Sequence, residues 1–337
     1  MNRLLLPVLV FCAAAAAILA LSSGVIGVDS AALLALFPGS TAGDAGQIGA
    51  TALLQLRLPR VVLALLIGAA LAESGAVTQA LFRNPLAEPS LIGVAAGAAL
   101  AAAIVFTLIG SSPALTAYLL PIAAFAGGLG TAWLVLRLTR WEGQTRMSTL
   151  LLAGAAVNAF VAAAVGLLAV RADDTALRSF TLWMFGNLGR AGWQEIAVVA
   201  PALVAVIVWL PREARGLDAL LLGESEALYL GVPVEALKRR ILILAVLATA
   251  CAVSLAGIIG FIGLIVPHAI RLLVGPRHRL LLPASALLGA TLLTLADTAA
   301  RTLNAPAELP VGTLTALLGA PFFLILLLRQ QNTLESV

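Results

Sequence analysis

Residues 57–94 read RLPRVVLALLIGAALAESGAVTQALFRNPLAEPSLIGV, a long apolar run that begins with two arginines and ends in a proline-rich turn. The apolar part has about 20 residues, which is enough to cross the roughly 30 Å hydrocarbon core of a bilayer. Such a run must be an α-helix, because lipid offers no hydrogen-bond partner to an unpaired backbone amide. Pro85 and Pro89 then stop the helix. The stretch therefore predicts an all-α membrane protein.

The composition of the whole chain supports the same class. The chain has 337 residues, of which 61% are hydrophobic and only 11% are charged, and its mean hydropathy is +1.07. Soluble domains carry about 25% charged residues, so most of this surface must face membrane lipid. Cys12 and Cys251 lie in apolar runs and indicate neither a disulfide framework nor a metal site. Nucleic-acid binding is excluded, because no basic stripe with interleaved aromatic residues is present.

Apolar runs of similar length recur along the chain and predict a polytopic protein in one transmembrane domain, residues 1–337. The ten predicted spans cover residues of about 4–24, 60–81, 91–110, 115–138, 149–170, 193–210, 241–260, 262–274, 280–300 and 311–328. The first run is too long for the apolar core of a signal peptide, so it is predicted to remain as the first helix. Small residues within the spans predict close helix packing, in particular Gly68, Gly75, Gly93 and Gly97.

The distribution of basic residues predicts the orientation of these spans. With the N-terminus in the cytoplasm, most of the 20 lysines and arginines fall on the cytoplasmic side, as the positive-inside rule requires. Arg57, Arg60 and Arg301 are among the few that fall outside. An even number of spans returns the C-terminus to the cytoplasm, so both termini are predicted to be cytoplasmic.

Residues 212–240, REARGLDALLLGESEALYLGVPVEALKRR, form the longest polar interruption of the chain. The segment is too polar to span a bilayer, yet its leucines recur among acidic residues in the pattern of short amphipathic helices. Two short helices of this kind at about 212–240 are predicted to lie against another protein on the cytoplasmic side.

Several ionisable residues have more than one interpretation. His268 is predicted to be a packed, hydrogen-bonding residue, and His278, in the basic stretch PRHR, is predicted to be solvated. Asp297 precedes Arg301 by four residues, which predicts a helical ion pair. Glu73 lies past the middle of the second span, where an ionised carboxylate is costly. It faces a transport pathway, faces a subunit seam, or is protonated.

Residues 171–193, RADDTALRSFTLWMFGNLGRAGW, lie outside and predict a short helix at the mouth of the protein, with an interfacial aromatic belt as the alternative. No phosphate-binding G-x-x-x-x-G-K-[ST] motif occurs, so any ATP that drives this chain is hydrolysed by another polypeptide. A membrane-embedded enzyme would need clustered His, Asp, Glu or Cys, and two histidines argue against it. The chain is therefore predicted to have no catalytic residue.

The chain resembles the permease subunits of type II ABC importers, the FecCD-like, binding-protein-dependent permeases for vitamin B12, haem and ferric siderophores. The motifs that carry the resemblance are RLPR (57–60), SGAV-x-QALF-x-NPLAEP (74–89), LLLAG (150–154), GFIGLIVPH-x-IRLL (260–273), LAD-x-x-AR (295–301) and AELPVG-x-x-TALLGAPFF (307–323). The resemblance implies about ten helices per subunit in a homodimer of the bacterial inner membrane, with the pathway between the subunits. It also implies a periplasmic substrate-binding protein, ATP-binding-cassette subunits that hold the ATP, and no cofactor or metal on this chain.

The resemblance further implies three groups of functional residues. Three arginines match those that receive glutamates of the binding protein, namely Arg57, Arg60 and Arg301. The residues that match the cytoplasmic gate are Asn84, Leu86, Met147 and Ser148, with Met147 in the place of a threonine of the vitamin B12 permease. The residues expected to contact the ATPase are Gly223, Glu224, Ser225, Ala227, Leu230 and Gly231.

The stretch 171–193 resembles the haem permeases more closely than the vitamin B12 permeases, so haem is the predicted substrate. Vitamin B12 or a ferric siderophore is the alternative within the same class of importer. A proton-coupled secondary transporter, with Glu73 as the proton carrier, is a remote alternative, because that class usually has several intramembrane acids with partners.

Overall fold

A computed structural model of the chain describes residues 2–24, 43–110, 112–141, 144–145, 147–190 and 192–334. Within these residues the fold is α-helical apart from one antiparallel pair of two-residue strands, β1 (Arg140–Trp141) and β2 (Gln144–Thr145). The α-helices are α1 (Asn2–Ser22), α2 (Asp44–Thr51), α3 (Leu58–Phe82), α4 (Val94–Ile109), α5 (Pro113–Leu138), α6 (Met147–Ala169), α7 (Asp174–Met184), α8 (Trp193–Trp209), α9 (Ala214–Leu220), α10 (Glu224–Tyr229), α11 (Val234–Ala256), α12 (Ile262–Val274), α13 (His278–Thr302) and α14 (Val311–Leu334). A π-helical turn (Ala52–Arg57) and two 3₁₀ turns (Pro89–Ile92, Leu210–Glu213) join some of them. The predicted all-α class is confirmed.

Seven helical segments of the described chain are long and apolar enough to cross a membrane: Leu4–Ser22, Gly46–Phe82, Pro113–Leu138, Met147–Ala169, Trp193–Leu220, Val234–Ala256 and His278–Thr302. Three shorter apolar helices, Val94–Ile109, Ile262–Val274 and Val311–Leu324, fall where the third, eighth and tenth spans are predicted. Each predicted span therefore corresponds to a helix. The number of membrane crossings itself stays a prediction.

Helix α3 is the central helix of the fold. Its span is 83% buried, and α13, α11, α12 and α8 pack around it. Close packing is possible because Gly68 lies against the backbone of Gly289, and Gly75 lies against the backbone of Gly263. A methyl group at Gly68 or Gly75 would overlap a carbonyl oxygen of the neighbouring helix. These two glycines therefore occupy the packing positions that the sequence predicts.

Two predicted helix bounds are wrong. The predicted second span begins at about residue 60, but the helix continues upstream through the π-helical turn Ala52–Arg57. The predicted seventh span covers about 241–260, whereas α11 begins at Val234 and ends at Ala256. In an apolar chain, charged residues normally mark the end of a membrane span. Lys238 is nevertheless 2% exposed inside α11, because it bonds Glu224 and Glu235.

Candidate functional site

The structure brings the three predicted docking arginines together at the end of the molecule where α1 and α13 end and α3 begins. We call Arg57, Arg60, Asp297, Arg301 and Glu308 the outer cluster. Arg60 donates from Nε to both oxygens of Asp297 at 2.9 Å and from Nη1 to Glu308 at 2.9 Å. Arg301 Nε lies 3.4 Å from the second Asp297 oxygen, which confirms the predicted i,i+4 pair. The cluster has three cations and two anions, so it keeps an excess of positive charge.

The remaining donors of the outer cluster bind the C-terminal end of α1. Arg57 Nη1 donates to the carbonyl oxygen of Leu21 at 2.8 Å, and Arg301 Nη2 donates to that of Ala20 at 2.8 Å. The last carbonyls of a helix have no partner within the helix and carry its partial negative charge. Arginines at this position therefore fix the first helix to α3 and α13, a structural role that the sequence does not show.

The docking arginines are much less accessible than their predicted role suggests. Arg57, Arg60 and Arg301 are 5%, 7% and 8% exposed, whereas the Glu308 side chain is 39% exposed. All four residues line one crevice of about 180 Å³. Glu308 is therefore the most accessible of the four side chains around this crevice, and the docking role of the arginines stays a prediction.

Helix α7 lies where the sequence predicts a short mouth helix, and Asp173 caps its start by accepting the Ala176 backbone N–H at 2.7 Å. Phe180 and Trp183 are buried and stack with their ring centroids 6.5 Å apart, so these two rings pack into the protein rather than form an interfacial belt. A cavity of about 740 Å³ lies behind the helix, with Trp183 and Arg190 in its lining.

The predicted gate residues lie at two helix junctions. Asn84 Oδ1 accepts the Leu86 backbone N–H at 2.9 Å, which locks the turn after α3. Met147 and Ser148 begin α6. This helix packs on the turn Pro89–Ile92, which follows Asn84 and Leu86 in the chain, through Gly154, about two helical turns beyond Met147. The gating role of the two pairs stays a prediction.

The turn after α3 is also tied to the break between α11 and α12, a contact that the sequence does not reveal. Glu88 accepts the Phe261 backbone N–H at 3.1 Å, and Gln79 donates to the Gly263 carbonyl at 3.2 Å. Burial raises the pKa of the Glu88 carboxyl, because desolvation disfavours its charged form, although the bonds from Ser90 and Phe261 oppose the shift. The turn after α3 and the break between α11 and α12 are therefore packed against each other.

The predicted cytoplasmic segment contains two short helices, α9 and α10, as the sequence pattern indicates. Leu217, Leu220 and Ala227 point inward and are at most 3% exposed. The outward apolar residues, which we call the coupling patch, are Leu221, Leu222, Leu228, Tyr229 and Leu230. Tyr229, which is 92% exposed, adds an aromatic side chain to the patch. Exposed apolar groups in a polar segment mark a surface for a partner protein.

The predicted ATPase contacts divide into outward, inward and backbone positions. Leu230 belongs to the coupling patch, and Glu224 and Ser225 are exposed, whereas Ala227 is fully buried and holds α10 against the core. Gly223 and Gly231 have φ values of 141° and 81°, which favour glycine, and they form the turns that flank α10. Sequence reasoning missed Tyr229, whose signal was an aromatic residue in an acidic amphipathic segment.

The prediction that His278 is solvated is wrong. His278 is the first residue of α13, is 1% exposed, and bonds Asp218 of α9 through both its ring and its backbone. The basic stretch PRHR suggests a solvated loop, but the helix begins there and turns the ring inward. His268 packs edge-on against Phe322 at 6.1 Å between ring centroids, which confirms the predicted packing, but its Nε2 has no hydrogen-bond partner among the described residues, so the predicted hydrogen bond is wrong.

Glu73 is 1% exposed within the subunit, and its carboxyl oxygens have no hydrogen-bond partner among the described residues. The side chain therefore does not reach a subunit surface in this conformation, which argues against a position at a pathway or a seam. Within the described residues no group of three or more His, Cys, Asp or Glu side chains is placed to hold a metal ion.

Comparisons with known proteins converge on one family. A profile of the FecCD transport family matches residues 5–329. The chain is 47% identical over 316 residues to a hemin transport system permease protein of Yersinia pestis, covering 94% of this chain and 93% of the relative. It is 46% identical over 272 residues to a cobalamin import system permease protein of Halobacterium salinarum, covering 81% and 72% of the two chains. A solved inward-facing structure of a metal-chelate type ABC transporter matches with a TM-score of 0.83 at 32% identity, covering 96% of this chain and 98% of that chain.

Proposed function

The chain belongs to the FecCD transport family, and we propose that it carries haem across the bacterial inner membrane as the permease of a binding-protein-dependent ABC importer. As a permease of this family it is a transport component and not an enzyme. The observation that carries the choice of haem is the match to the hemin permease, which runs over 94% of this chain and includes the mouth segment 171–193. The cobalamin relative is almost as similar but covers 81% of the chain.

The chemistry of the mouth supports a flat amphiphilic cargo. Haem is a broad apolar ring with propionate groups at one edge. Trp183 and Arg190 both line the adjacent cavity of about 740 Å³, which therefore combines an aromatic ring with a cation, beside the carboxylates of Asp173 and Glu195. Vitamin B12 and a ferric siderophore remain the alternatives, and the similarity to a metal-chelate type transporter fits all three cargoes, because each is a metal chelate.

A direct comparison of cargoes tests the choice of haem. The permease is reconstituted in proteoliposomes with its ATPase, and a haem-binding protein or a cobalamin-binding protein is supplied outside with its loaded ligand. We expect ATP-dependent haem uptake to exceed cobalamin uptake by at least about tenfold, which corresponds to about 1.4 kcal/mol of discrimination. Cobalamin uptake equal to or above that of haem would assign the chain to the other branch of the family.

The same proposal assigns the assembly. We place this chain in a homodimer with about ten helices per subunit, both termini in the cytoplasm, and its apolar helix faces against lipid or the second copy. Leu152 and Phe160 on α6 are both 73% exposed, and Leu317 on α14 is 65% exposed. These apolar surfaces support burial in a membrane or against a second subunit.

We assign the outer cluster to docking of the periplasmic binding protein. Its excess positive charge suits an acidic partner surface, and complementary charge speeds and orients such encounters. Glu308 already occupies Arg60 Nη1 at 2.9 Å and is the most exposed member of the pair. It therefore acts as an internal substitute that a carboxylate of the binding protein must replace.

Glu308→Gln should strengthen docking. The change removes the internal competitor and one negative charge while it keeps the size of the side chain. An exposed ion pair is worth up to about 1 kcal/mol, so we expect the affinity for the binding protein to rise by up to about fivefold at low salt. Surface plasmon resonance on the permease in nanodiscs measures this affinity. An affinity that falls after the substitution would contradict docking at the outer cluster.

We assign the coupling patch and the turn residues Gly223 and Gly231 to contact with the ATP-binding-cassette subunit. The turn Asn84–Leu86 and the start of α6 at Met147 and Ser148 are assigned to the cytoplasmic gate. Their support is the shared packing of α6 on the turn Pro89–Ile92. We expect closure of the ATPase to move α9 and α10. This movement would reach the gate through α11 and α13, the helices to which α9 and α10 are bonded.

A further inference from the structure

We propose that Asp218 and His278 form the mechanical link by which the cytoplasmic coupling segment, which comprises α9, α10 and the turns that flank them, acts on the periplasmic docking end of this permease. The inference rests on the proposed function, because it connects the surfaces assigned there to the ATPase and to the binding protein. It gives a role to two residues that neither surface includes.

The link begins at one carboxyl oxygen. Asp218 Oδ1 accepts the His278 backbone N–H at 2.8 Å and lies 2.7 Å from the His278 ring Nδ1. His278 is 1% exposed, so this contact is shielded from water on the histidine side. The first backbone N–H groups of a helix lack partners within the helix, and a carboxylate there is favoured by the helix dipole. A residue of α9 thus caps the N-terminus of α13, 60 residues further along the chain.

Helix α13 carries this attachment to the opposite end of the protein. It is one helix of 25 residues, His278–Thr302, with a length of roughly 37 Å at 1.5 Å per residue and with Pro283 in its second turn. Asp297 and Arg301 lie near its other end, inside the outer cluster. The coupling segment and the docking cluster are therefore attached to the two ends of a single helix.

The packing of α13 makes it a shared element of the fold. It runs along α3 and α1, with Gly289 against the backbone of Gly68, and it supplies Asp297 to Arg60 of α3. A displacement of α9 that moves His278 must therefore move α13 against α3 or tilt both together. The first motion changes the geometry between Asp297 and Arg60, and the second reorients the outer cluster as a whole.

The other ion pairs of the coupling segment bind α11 rather than α13. Glu224 binds Lys238 at 2.7 Å and Glu213 binds Arg240 at 2.8 Å, and both cations belong to α11. Helix α11 packs against α3 but contributes no residue of its own to the outer cluster. The Glu213–Arg240 pair therefore provides a matched control, because it ties the same segment to a different helix through a bond of similar length.

The test uses the complete transporter, with the ATPase subunits, in nanodiscs. The readout is the ratio of ATP hydrolysis with loaded binding protein to hydrolysis without it, per assembled complex. For Asp218→Ala we expect this stimulation to fall by at least about fivefold while basal hydrolysis is retained. Asp218→Asn keeps a carbonyl oxygen acceptor and should keep the stimulation. Glu213→Ala should also keep it.

Three results would overturn the link: wild-type stimulation in Asp218→Ala, an equal loss in Glu213→Ala, or a loss that disappears when activity is divided by assembled complex. If Asp218→Ala does not assemble, His278→Pro decides, because proline suits the first position of a helix but removes both the backbone N–H and the ring nitrogen that bind Asp218; unchanged stimulation would refute the proposal. Failure of the proposed function is separate, since wild-type complex would then show no ATP-driven uptake.

Discussion

Replacing Tyr229 with alanine is expected to detach the ATPase from this permease and to abolish most ATP-driven uptake. Tyr229 is the most exposed residue of the coupling patch at 92%, and Leu222, Leu228 and Leu230 of the same patch are each at least 60% exposed. An aromatic anchor surrounded by apolar contacts is the arrangement that carries most of the energy of a protein interface. Its truncation costs at least about 2 kcal/mol, so ATPase affinity should fall by roughly thirtyfold.

The chain provides a matched control for this substitution, because it has only two tyrosines. Tyr118 is 76% exposed on α5, away from the coupling patch. Titration of purified ATPase onto the permease in nanodiscs measures the affinity of both variants. Tyr118→Ala should bind ATPase like the wild type, and an equal loss for both variants would show that exposed tyrosines act only through folding.

Replacing Asp297 with alanine is expected to destabilise the permease by about 3 kcal/mol or more. Asp297 is 1% exposed and holds Arg60 and Arg301 together, so its loss leaves the buried Arg301 without this carboxylate and Arg60 with only the half-exposed Glu308. Removal of one partner of a buried ion pair costs about 3–5 kcal/mol, because the remaining charge stays desolvated. Unfolding of the purified protein in detergent, followed by tryptophan fluorescence, measures the change.

Glu308→Gln is the control for stability in the same cluster. The Glu308 side chain is 39% exposed, and an ion pair of that exposure contributes at most about 1 kcal/mol. A stability loss for Glu308→Gln as large as that for Asp297→Ala would contradict the division of the cluster into a buried structural pair and an exposed exchangeable pair. The same division shows that reversing the charge of Arg60 would test folding and docking together.

The sequence predicts the helices well because their apolar runs are long and their ends are chemically distinct. It also predicts the Asp297–Arg301 pair, which depends only on helical spacing. It does not predict that Arg60 binds Asp297 and Glu308, which are 237 and 248 residues away. Such contacts depend on how the helices pack, so the burial of the docking arginines is visible only in the fold.

Two predictions are wrong for one physical reason: the start of the seventh span, which leaves Lys238 outside the helix, and the solvated position of His278. Both residues stand in basic stretches, and charge in a mainly apolar chain usually marks a solvated end. In the fold each finds an acidic partner from the coupling segment, Glu224 for Lys238 and Asp218 for His278, and is buried because of it. The partners lie 14 and 60 residues earlier, beyond the range of helical spacing.

The central claim is that this subunit moves its cargo only when an ATP-hydrolysing partner drives it through the coupling segment. The most direct test measures haem accumulation in proteoliposomes that hold the permease alone or with its ATPase, with binding protein outside. We predict accumulation only with the ATPase and ATP, and the same uptake for Glu73→Gln, whose carboxyl is buried in α3. Accumulation by the permease alone under a pH gradient, and its loss in Glu73→Gln, would contradict the account.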